Sequence, residues 1–360
     1  MQAVFKMTDE NKVFYKTLVV LCIPIIIQNL ISTLVNMVDT VMVGSLGEVS
    51  VAAIGIANQY FFLFNMALSG IIGGAGIFMA QFYGKGDKDS IKKITGLSVI
   101  AALVLGIVFF ILAVFFPNLI INFFSHDPLV VKQAREYFLV IGFCYPIMAV
   151  SYIFSMGSRS VRNPRLGMVC SSISLVINIV LNYVFIFGHF GAPALGVKGA
   201  AVATVSARIV EFILLILYVY FIKEDYELKF GIEDIKGITK ELATNVIKKT
   251  TPVFLNDTFW AFGSVLYSVA YATAGTSAMA ASQIASTTGN FFIMTAVCIA
   301  IGSSIMMGNE LGANNIDTAI KYSKKFSVLV TIAGILFGAL SVSYTHLDVY
   351  KRQINTSMYI

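Results

Sequence analysis

The stretch TLVVLCIPIIIQNLISTLVNMVDTVMV, residues 17–43, decides the class of fold, and Asp39 is the only charged residue in it. A helix that rises 1.5 Å per residue needs about 20 mainly apolar residues to cross a bilayer. A strand of a membrane barrel needs only about half that number. The stretch is therefore predicted to be a membrane-spanning helix. No short apolar region with a small-residue cleavage site precedes it, so we expect this helix to be retained as an anchor.

Comparable apolar runs recur along the chain, separated by short polar segments. Hydrophobic residues make up 58% of the 360 residues and charged residues only 12%, whereas about a quarter of a soluble domain is charged. The predicted fold class is all-α and integral to the membrane, with about nine transmembrane helices. The predicted windows are 17–43, 51–82, 95–116, 132–156, 166–188, 197–222, 250–273, 278–308 and 318–340.

The basic residues are distributed unevenly between the two sides of these predicted helices. If the N-terminus lies inside, most of the 25 basic residues fall in inside segments, and the outside loops near 44–50, 189–196 and 274–277 contain none. This asymmetry is the positive-inside rule. It predicts a multi-pass protein of the inner or plasma membrane with a cytoplasmic N-terminus. The net charge of +6 is thus a topology signal, and no nucleic-acid partner is expected.

The sequence lacks the patterns of an enzyme or of a metal protein. It contains no Walker loop, nucleophile elbow or metalloprotease motif. The three histidines are scattered, and the cysteines have no paired spacing that would indicate a disulfide or a zinc site. We therefore expect no catalytic residues and no cofactor. The four cysteines, Cys22, Cys144, Cys170 and Cys298, all fall inside predicted helices.

The chain matches itself without a gap at an offset of 228 residues, the difference between Pro252 and Pro24. The second copy starts at the seventh predicted helix, so six helices separate the copies and both enter the membrane from the same side. Such copies are parallel repeats related by an axis along the membrane normal. Further identical pairs are Gly47/Gly275, Ala52/Ala280, Ile56/Ile284, Gly74/Gly302, Gly84/Gly312, Asp89/Asp317 and Lys93/Lys321.

The repeat predicts the domain organisation. Residues 1–222 form an N-terminal lobe with helices 1–6, residues 223–249 form a cytoplasmic linker, and residues 250–340 form part of a C-terminal lobe with helices 7–9. After Leu340 the apolar run stops, and SVSYTHLDVYKRQ (341–353) looks like a read-through peptide. We expect residues 341–360 to be a non-native tail on a C-terminally truncated chain. The alternative is a genuine polar outside loop.

Several local patterns occur in one order along residues 13–340, and together they resemble the multidrug and toxic compound extrusion (MATE) family. They are LVNMVDTVMVGSLG (34–47), QFYGKGD (81–87), RSVRNPRLGM (159–168), NIVLNYVFIFG (178–188) and GVKGAAVAT (196–204). The resemblance implies two parallel six-helix lobes. It also implies a monomeric secondary antiporter in the lipid membrane that exports organic, usually cationic compounds in exchange for protons or sodium ions.

Two other classes of protein were weighed against this hypothesis. A lipid-linked oligosaccharide flippase of the same superfamily would need several Arg or Lys residues inside the spans to bind pyrophosphate. Arg208 is the only basic residue in the middle of a predicted span, and Glu211, three positions later, is expected to neutralise it. A membrane-embedded enzyme is disfavoured by the missing catalytic motifs.

Asp39 is the leading candidate for ion coupling. Ionisable groups inside a membrane cost at least a few kcal/mol, so each is a functional hypothesis. No basic residue lies within twenty positions of Asp39, and burial disfavours the charged form of a carboxyl group. A group of this kind can hold either a proton or a cation. Alternatively, Asp39 lies near the outer end of its helix and is wetted by the interface.

Asn178 and Asn182 are one turn apart and share a face of the fifth predicted helix. Their amide oxygens could face a cation or Asp39, or they could form structural hydrogen bonds between helices. Archaeal members of the family carry an Asp where this chain has Asn182, so the resemblance leaves a two-carboxylate proton site in doubt. Asp39, Asn178 and Asn182 are the predicted coupling residues, and the only metal expected is a coupling sodium ion at Asp39.

The predicted substrate pocket consists of Asn36, Thr204 and Asp257. Asn36 precedes Asp39 by three residues, and Asp257 follows Pro252 by five. Thr204 matches a polar pocket position of the family that the chain resembles. The alternative for Asp257 is a hydrogen-bonding residue near the cytoplasm.

Overall fold

The computed structural model describes residues 9–273 and 296–357, and within these ranges the chain forms helices and no strands. A 3-10 turn, His189–Gly191, follows the helix that ends at Phe187, and a π-helical turn, Tyr218–Ile222, continues the helix that ends at Leu217. The helices are α1 (Asp9–Gly44), α2 (Glu48–Lys85), α3 (Lys88–Phe115), α4 (Pro117–Phe124), α5 (Pro128–Ile141), α6 (Cys144–Ser160), α7 (Pro164–Phe187), α8 (Val197–Leu217), α9 (Ile232–Lys236), α10 (Lys240–Thr273), α11 (Ala296–Gly312) and α12 (Ile316–Ser357).

Six spans account for the first six predicted windows. The helices α1, α2, α3 and α7, and α8 with its π-helical turn, are each long and apolar enough to cross a membrane, and α5 with α6 makes a sixth span bent by 49°. A continuous helix was expected there. The bend arises because Pro146 has no N–H to donate to the carbonyl of Gly142. A Cβ at Gly142 would also lie only 2.5 Å from the side chain of Val114, so the close packing requires glycine.

Of the last three predicted windows, two lie within described helices and one is described only in part. The seventh lies inside α10 and the ninth inside α12, while the eighth, 278–308, is described only from Ala296 onward. The count of nine spans therefore stays a prediction. The backbone of α12 is helical through Ser357, so it includes most of the segment that was assigned to a tail.

The outer faces of the helices are apolar. Large hydrophobic side chains lie exposed there, among them Val176 at 61% and Phe123 at 83%. A soluble monomer rarely exposes contiguous apolar surface of this extent, whereas a bilayer favours it. The chain is therefore a multi-pass membrane protein.

The interior of the N-terminal lobe is centred on α2 and is rich in aromatic rings. Tyr60 and Phe64 of α2 contact Phe109 of α3 and Tyr145 of α6 with ring centroids 5.0–5.4 Å apart. The hydroxyl of Tyr60 donates to the carbonyl of Phe109 at 2.9 Å. Edge-to-face packing of this kind is favourable beyond its area alone, so it fixes α2 relative to α3 and α6.

The two copies of the repeat meet where α2 crosses α11, and the contact there is reciprocal. A Cβ at Gly84 would lie 1.9 Å from the carbonyl oxygen of Asn309, and a Cβ at Gly312 would lie 1.8 Å from that of Gln81. The offset of 228 residues pairs Gly84 with Gly312 and Gln81 with Asn309. A contact that recurs with its partners exchanged is what a two-fold axis produces.

A second reciprocal pair lies further along the same helices. Gly74 of α2 faces the side chain of Thr250 on α10, and Gly302 of α11 faces the sulfur of Cys22 on α1. The offset again pairs Gly74 with Gly302 and Cys22 with Thr250. Helix α1 thus packs on α11 as α10 packs on α2, which is the arrangement that parallel repeats predict.

Candidate functional site

Asp39 lies inside the N-terminal lobe, only 6% exposed, and both of its carboxylate oxygens accept hydrogen bonds from other helices. Asn182 Nδ2 of α7 donates to Oδ1 at 2.5 Å, and Thr204 Oγ1 of α8 donates to Oδ2 at 3.1 Å. The side chain is therefore enclosed by the protein, five residues before the end of its helix at Gly44. The fold brings together three polar residues from α1, α7 and α8.

Asn178 joins the same network. Asn182 Nδ2 also donates to Asn178 Oδ1 at 3.1 Å, and Asn178 Nδ2 donates to Thr204 Oγ1 at 3.3 Å. The sequence hypothesis placed amide oxygens against Asp39. The structure places the amide nitrogen of Asn182 there, because an ionised carboxylate only accepts. Asn182 Oδ1 is buried without a hydrogen-bond partner among the described residues, so an acceptor remains available beside the carboxylate.

Arg208 is a cavity residue whose place near Asp39 the sequence analysis did not predict. Its guanidinium forms the predicted ion pair with Glu211 at 2.7 Å, and it also lines the cavity that contains Asp39. Asp39 has no basic neighbour along the chain but has one in space. The signal was the spacing of Thr204 and Arg208, which are one helical turn apart and therefore share a face of α8.

The cavity around Asp39 is small, with a volume of about 40 Å³. A water molecule needs at least about 10–15 Å³ on the same measure, whereas ligand pockets for drug-sized molecules span about 300–1,000 Å³. The cavity therefore fits an ion or a few water molecules. Its lining also includes Asn58, Tyr137, Cys144 and Tyr145, for which the single sequence carried no signal.

Of the predicted substrate-pocket residues, Thr204 and Asp257 do not line one cavity in the described part of the structure. Thr204 belongs to the Asp39 network, and the side chain of Asn36 lies outside the described part of the structure. Asp257 lies between the two lobes, where its Oδ2 accepts a hydrogen bond from Ser69 Oγ of α2 at 2.7 Å. It does not line the Asp39 cavity.

Comparisons with known proteins agree on one family. The family model MatE matches residues 24–184 and 252–349. The two matches begin at the two prolines, Pro24 and Pro252, that the internal repeat aligns.

Two curated relatives carry multidrug resistance names. "Probable multidrug resistance protein NorM" of Thermotoga maritima is 26% identical over 338 residues, which cover 91% of this chain and 71% of that protein. Multidrug resistance protein MdtK of Photorhabdus laumondii is 28% identical over 342 residues, covering 92% of this chain and 71% of that protein.

Solved MATE structures share the fold. A MATE crystal structure in the bent conformation superposes with a TM-score of 0.80 at 22% identity, covering 92% of this chain and 75% of that one. An outward-facing multidrug resistance transporter of the MATE family superposes with a TM-score of 0.78 at 22% identity, covering 89% of this chain and 71% of that one.

Proposed function

This chain belongs to the MatE family, and from that membership we propose that it is a secondary antiporter that exports organic cations in exchange for protons or sodium ions. It is a membrane transporter of the multidrug efflux type and not an enzyme. We place it in the inner or plasma membrane as a monomer with a cytoplasmic N-terminus, in contact with lipid and with a small organic cation as substrate. Protons or sodium ions serve as the coupling ion, without a cofactor.

The observation that carries the proposal is the carboxylate of Asp39, buried in an ion-sized cavity and held by Asn182 and Thr204. Exchange requires one site whose occupancy favours one of two conformations of the protein. A ligand shifts such an equilibrium only through its different affinity for the two states. A buried carboxylate meets this requirement because its interactions change most when a proton or a cation removes its charge.

Both coupling ions fit the residues present. A proton on Asp39 would find an acceptor in Asn182 Oδ1, which has no partner among the described residues. A sodium ion would find oxygen ligands in Asp39, Thr204 and the same amide oxygen. The orientation of the Asn182 amide is assigned from the hydrogen-bond network. Rotation of this one side chain would turn its oxygen toward a proton or a sodium ion at Asp39.

The test is transport by the native protein in sealed vesicles, with a fluorescent organic cation on the side from which it is exported. An imposed proton or sodium gradient should drive the dye against its own gradient, and collapse of that gradient should stop it. Movement of a lipid-linked oligosaccharide instead of the dye would establish the flippase. Dye movement that ignores both gradients would overturn the antiport proposal.

We expect Asn182→Ala to change the binding of protons and of sodium ions in opposite directions. The ionised carboxylate loses a hydrogen bond worth roughly 1.5–3 kcal/mol, whereas the protonated form loses a neutral one worth only about 1 kcal/mol, so the ionised form is weakened more. A proton should then be held more tightly, whereas sodium, which needs the ionised form, should be held less tightly. The measurement is binding of the fluorescent cation across pH and across sodium concentration.

Asn65→Ala is the matched control for this variant. The Asn65 amide donates to the carbonyl of Phe61 in its own helix, at 3.0 Å. Asn65→Ala should leave the dependence of fluorescent-cation binding on pH and on sodium concentration unchanged. If Asn182→Ala behaved in the same way, Asn182 would not be a coupling residue.

A further inference from the structure

Arg208 is a charged neighbour of two carboxyl groups, those of Glu211 and Asp39. Its Nη1 donates to Glu211 Oε2 at 2.7 Å, and the residue also lines the cavity of Asp39. Arg208 is 8% exposed and Glu211 is 5% exposed, so solvent screens neither charge effectively. A guanidinium carries five N–H donors in a planar fork, so the bond to Glu211 leaves donors for the side of the cavity.

Arg208 is also the one charged neighbour of Asp39 among the described residues that line the cavity. The other ionisable groups facing Asp39 are the phenols of Tyr137 on α5 and Tyr145 on α6 and the thiol of Cys144 on α6, and α2 and α7 present only amides and apolar groups there. Phenols and thiols of ordinary acidity are uncharged near neutral pH. Among these cavity-lining residues, Arg208 is therefore the one whose charge acts on Asp39.

Glu211 is held in its place by a chain of hydrogen bonds that reaches back to α1. Ser171 Oγ donates to Glu211 Oε1 at 2.6 Å, Gln28 Nε2 donates to Ser171 Oγ at 3.1 Å, and Arg159 donates to Gln28 Oε1 at 2.6 Å. The other ionisable groups that interact with Glu211 are Tyr152 and Cys144 of α6 and Cys170 of α7. Phenols and thiols of ordinary acidity are uncharged near neutral pH.

Gly167 allows this chain to form. A Cβ at Gly167 would lie 2.6 Å from Ser155 Oγ and 3.0 Å from the amide of Gln28. Gln28 precedes Asp39 by eleven residues, which is roughly 16 Å along a helix. Helix α1 is thus held at two positions along its length, by the hydrogen bonds of Asp39 and by the hydrogen bonds that connect Gln28 to Glu211.

We propose that Arg208 is a positioning residue shared by Asp39 and Glu211, and that this sharing sets the pH at which Asp39 gains or loses its charge. The inference rests on the proposed coupling role of Asp39. Glu211 draws the guanidinium away from Asp39 and so makes Asp39 easier to protonate. Without Glu211 the whole positive charge would stabilise the ionised form of Asp39, and without Arg208 that form would lose its counter-charge.

The test reads the protonation of Asp39 directly. The native protein is titrated by infrared difference spectroscopy, and the carboxyl C=O band that disappears in Asp39→Asn is assigned to Asp39. In Glu211→Gln the band should be half-developed at a pH about one unit or more below that of the native protein. In Arg208→Gln it should be half-developed at a pH about one unit or more above it.

Two further variants guard against a merely structural effect. Removing one member of a buried ion pair destabilises a protein strongly, whereas removing both leaves no unpaired charge. Arg208→Gln with Glu211→Gln should therefore fold and titrate between the two single variants, and Arg208→Lys, which keeps the charge, should titrate near the native protein. An unshifted band in Glu211→Gln and in whichever Arg208 variant folds would overturn the inference. It would leave the coupling role of Asp39 standing, since that role is tested separately by transport.

Discussion

Asp39→Asn is expected to abolish ion-coupled exchange while the protein folds and inserts normally. The substitution keeps the size and shape of the side chain, and its amide oxygen still accepts a hydrogen bond from Asn182 or Thr204. It removes the group that titrates. Because the site would then resemble its protonated state at every pH, the variant should favour the substrate-releasing conformation. Gradient-driven efflux from energised vesicles should fall to background, and substrate binding should lose its dependence on pH.

Asp257→Asn is the matched control, since it makes the same chemical change at a carboxyl group outside the Asp39 cavity. Asp257 accepts from Ser69 across the interface between the lobes, and the new side chain can keep that bond. This control should retain the pH dependence of binding. Efflux at the native rate in Asp39→Asn, together with loss of pH dependence in Asp257→Asn, would move the coupling role to Asp257.

Replacing Gly84 and Gly312 together by alanine is expected to weaken the crossing of α2 and α11 severely. Each new Cβ would lie less than 2 Å from a backbone carbonyl oxygen, which no change of rotamer relieves. Overpacking at one site typically costs 1–3 kcal/mol, so two sites should cost about 2–6 kcal/mol unless the helices separate. The measurement is thermal unfolding in detergent, with a Q81C/N309C cross-link as a report on the distance between the two helices.

Gly55→Ala serves as the control, because no atom lies within 4 Å of a Cβ placed at Gly55 on the same helix α2. This variant should unfold at the native temperature or slightly above it, since alanine has the higher helix propensity. If the double variant behaved like Gly55→Ala and formed the cross-link at the native rate, the close crossing would not exist in the membrane.

The membrane-spanning helices were predictable because their signal is local. Length and apolar content identify a span without reference to its neighbours, and the repeat fixed the pairing of Pro24 with Pro252. The break at Gly142 was not predicted, since a proline inside an apolar run is tolerated in many membrane helices. It became visible only in the packing of Gly142 against Val114.

The candidate site was predictable where its members lie one turn apart. Asn178 and Asn182 share a face by their spacing, and the structure places both in one network with Asp39. The approach of Arg208 to that network was missed, because the spacing of Thr204 and Arg208 shows that they share a face of α8 but does not show that this face meets Asp39 of α1. Lipid is as apolar as the interior, so the usual contrast between core and surface is absent.

The reciprocal contact between α2 and α11 has a consequence for the ancestry of the chain. Each half of the contact has a glycine three positions after the residue whose carbonyl oxygen meets the glycine of the other half. Two separate copies of the first half would therefore fit each other as a symmetric homodimer, with Gly84 of one copy against Gln81 of its twin. The reciprocal contact is what duplication and fusion of one self-associating half would produce. Expression of residues 1–222 alone, with a cysteine in place of Gln81, would reveal such a homodimer as a disulfide-linked pair.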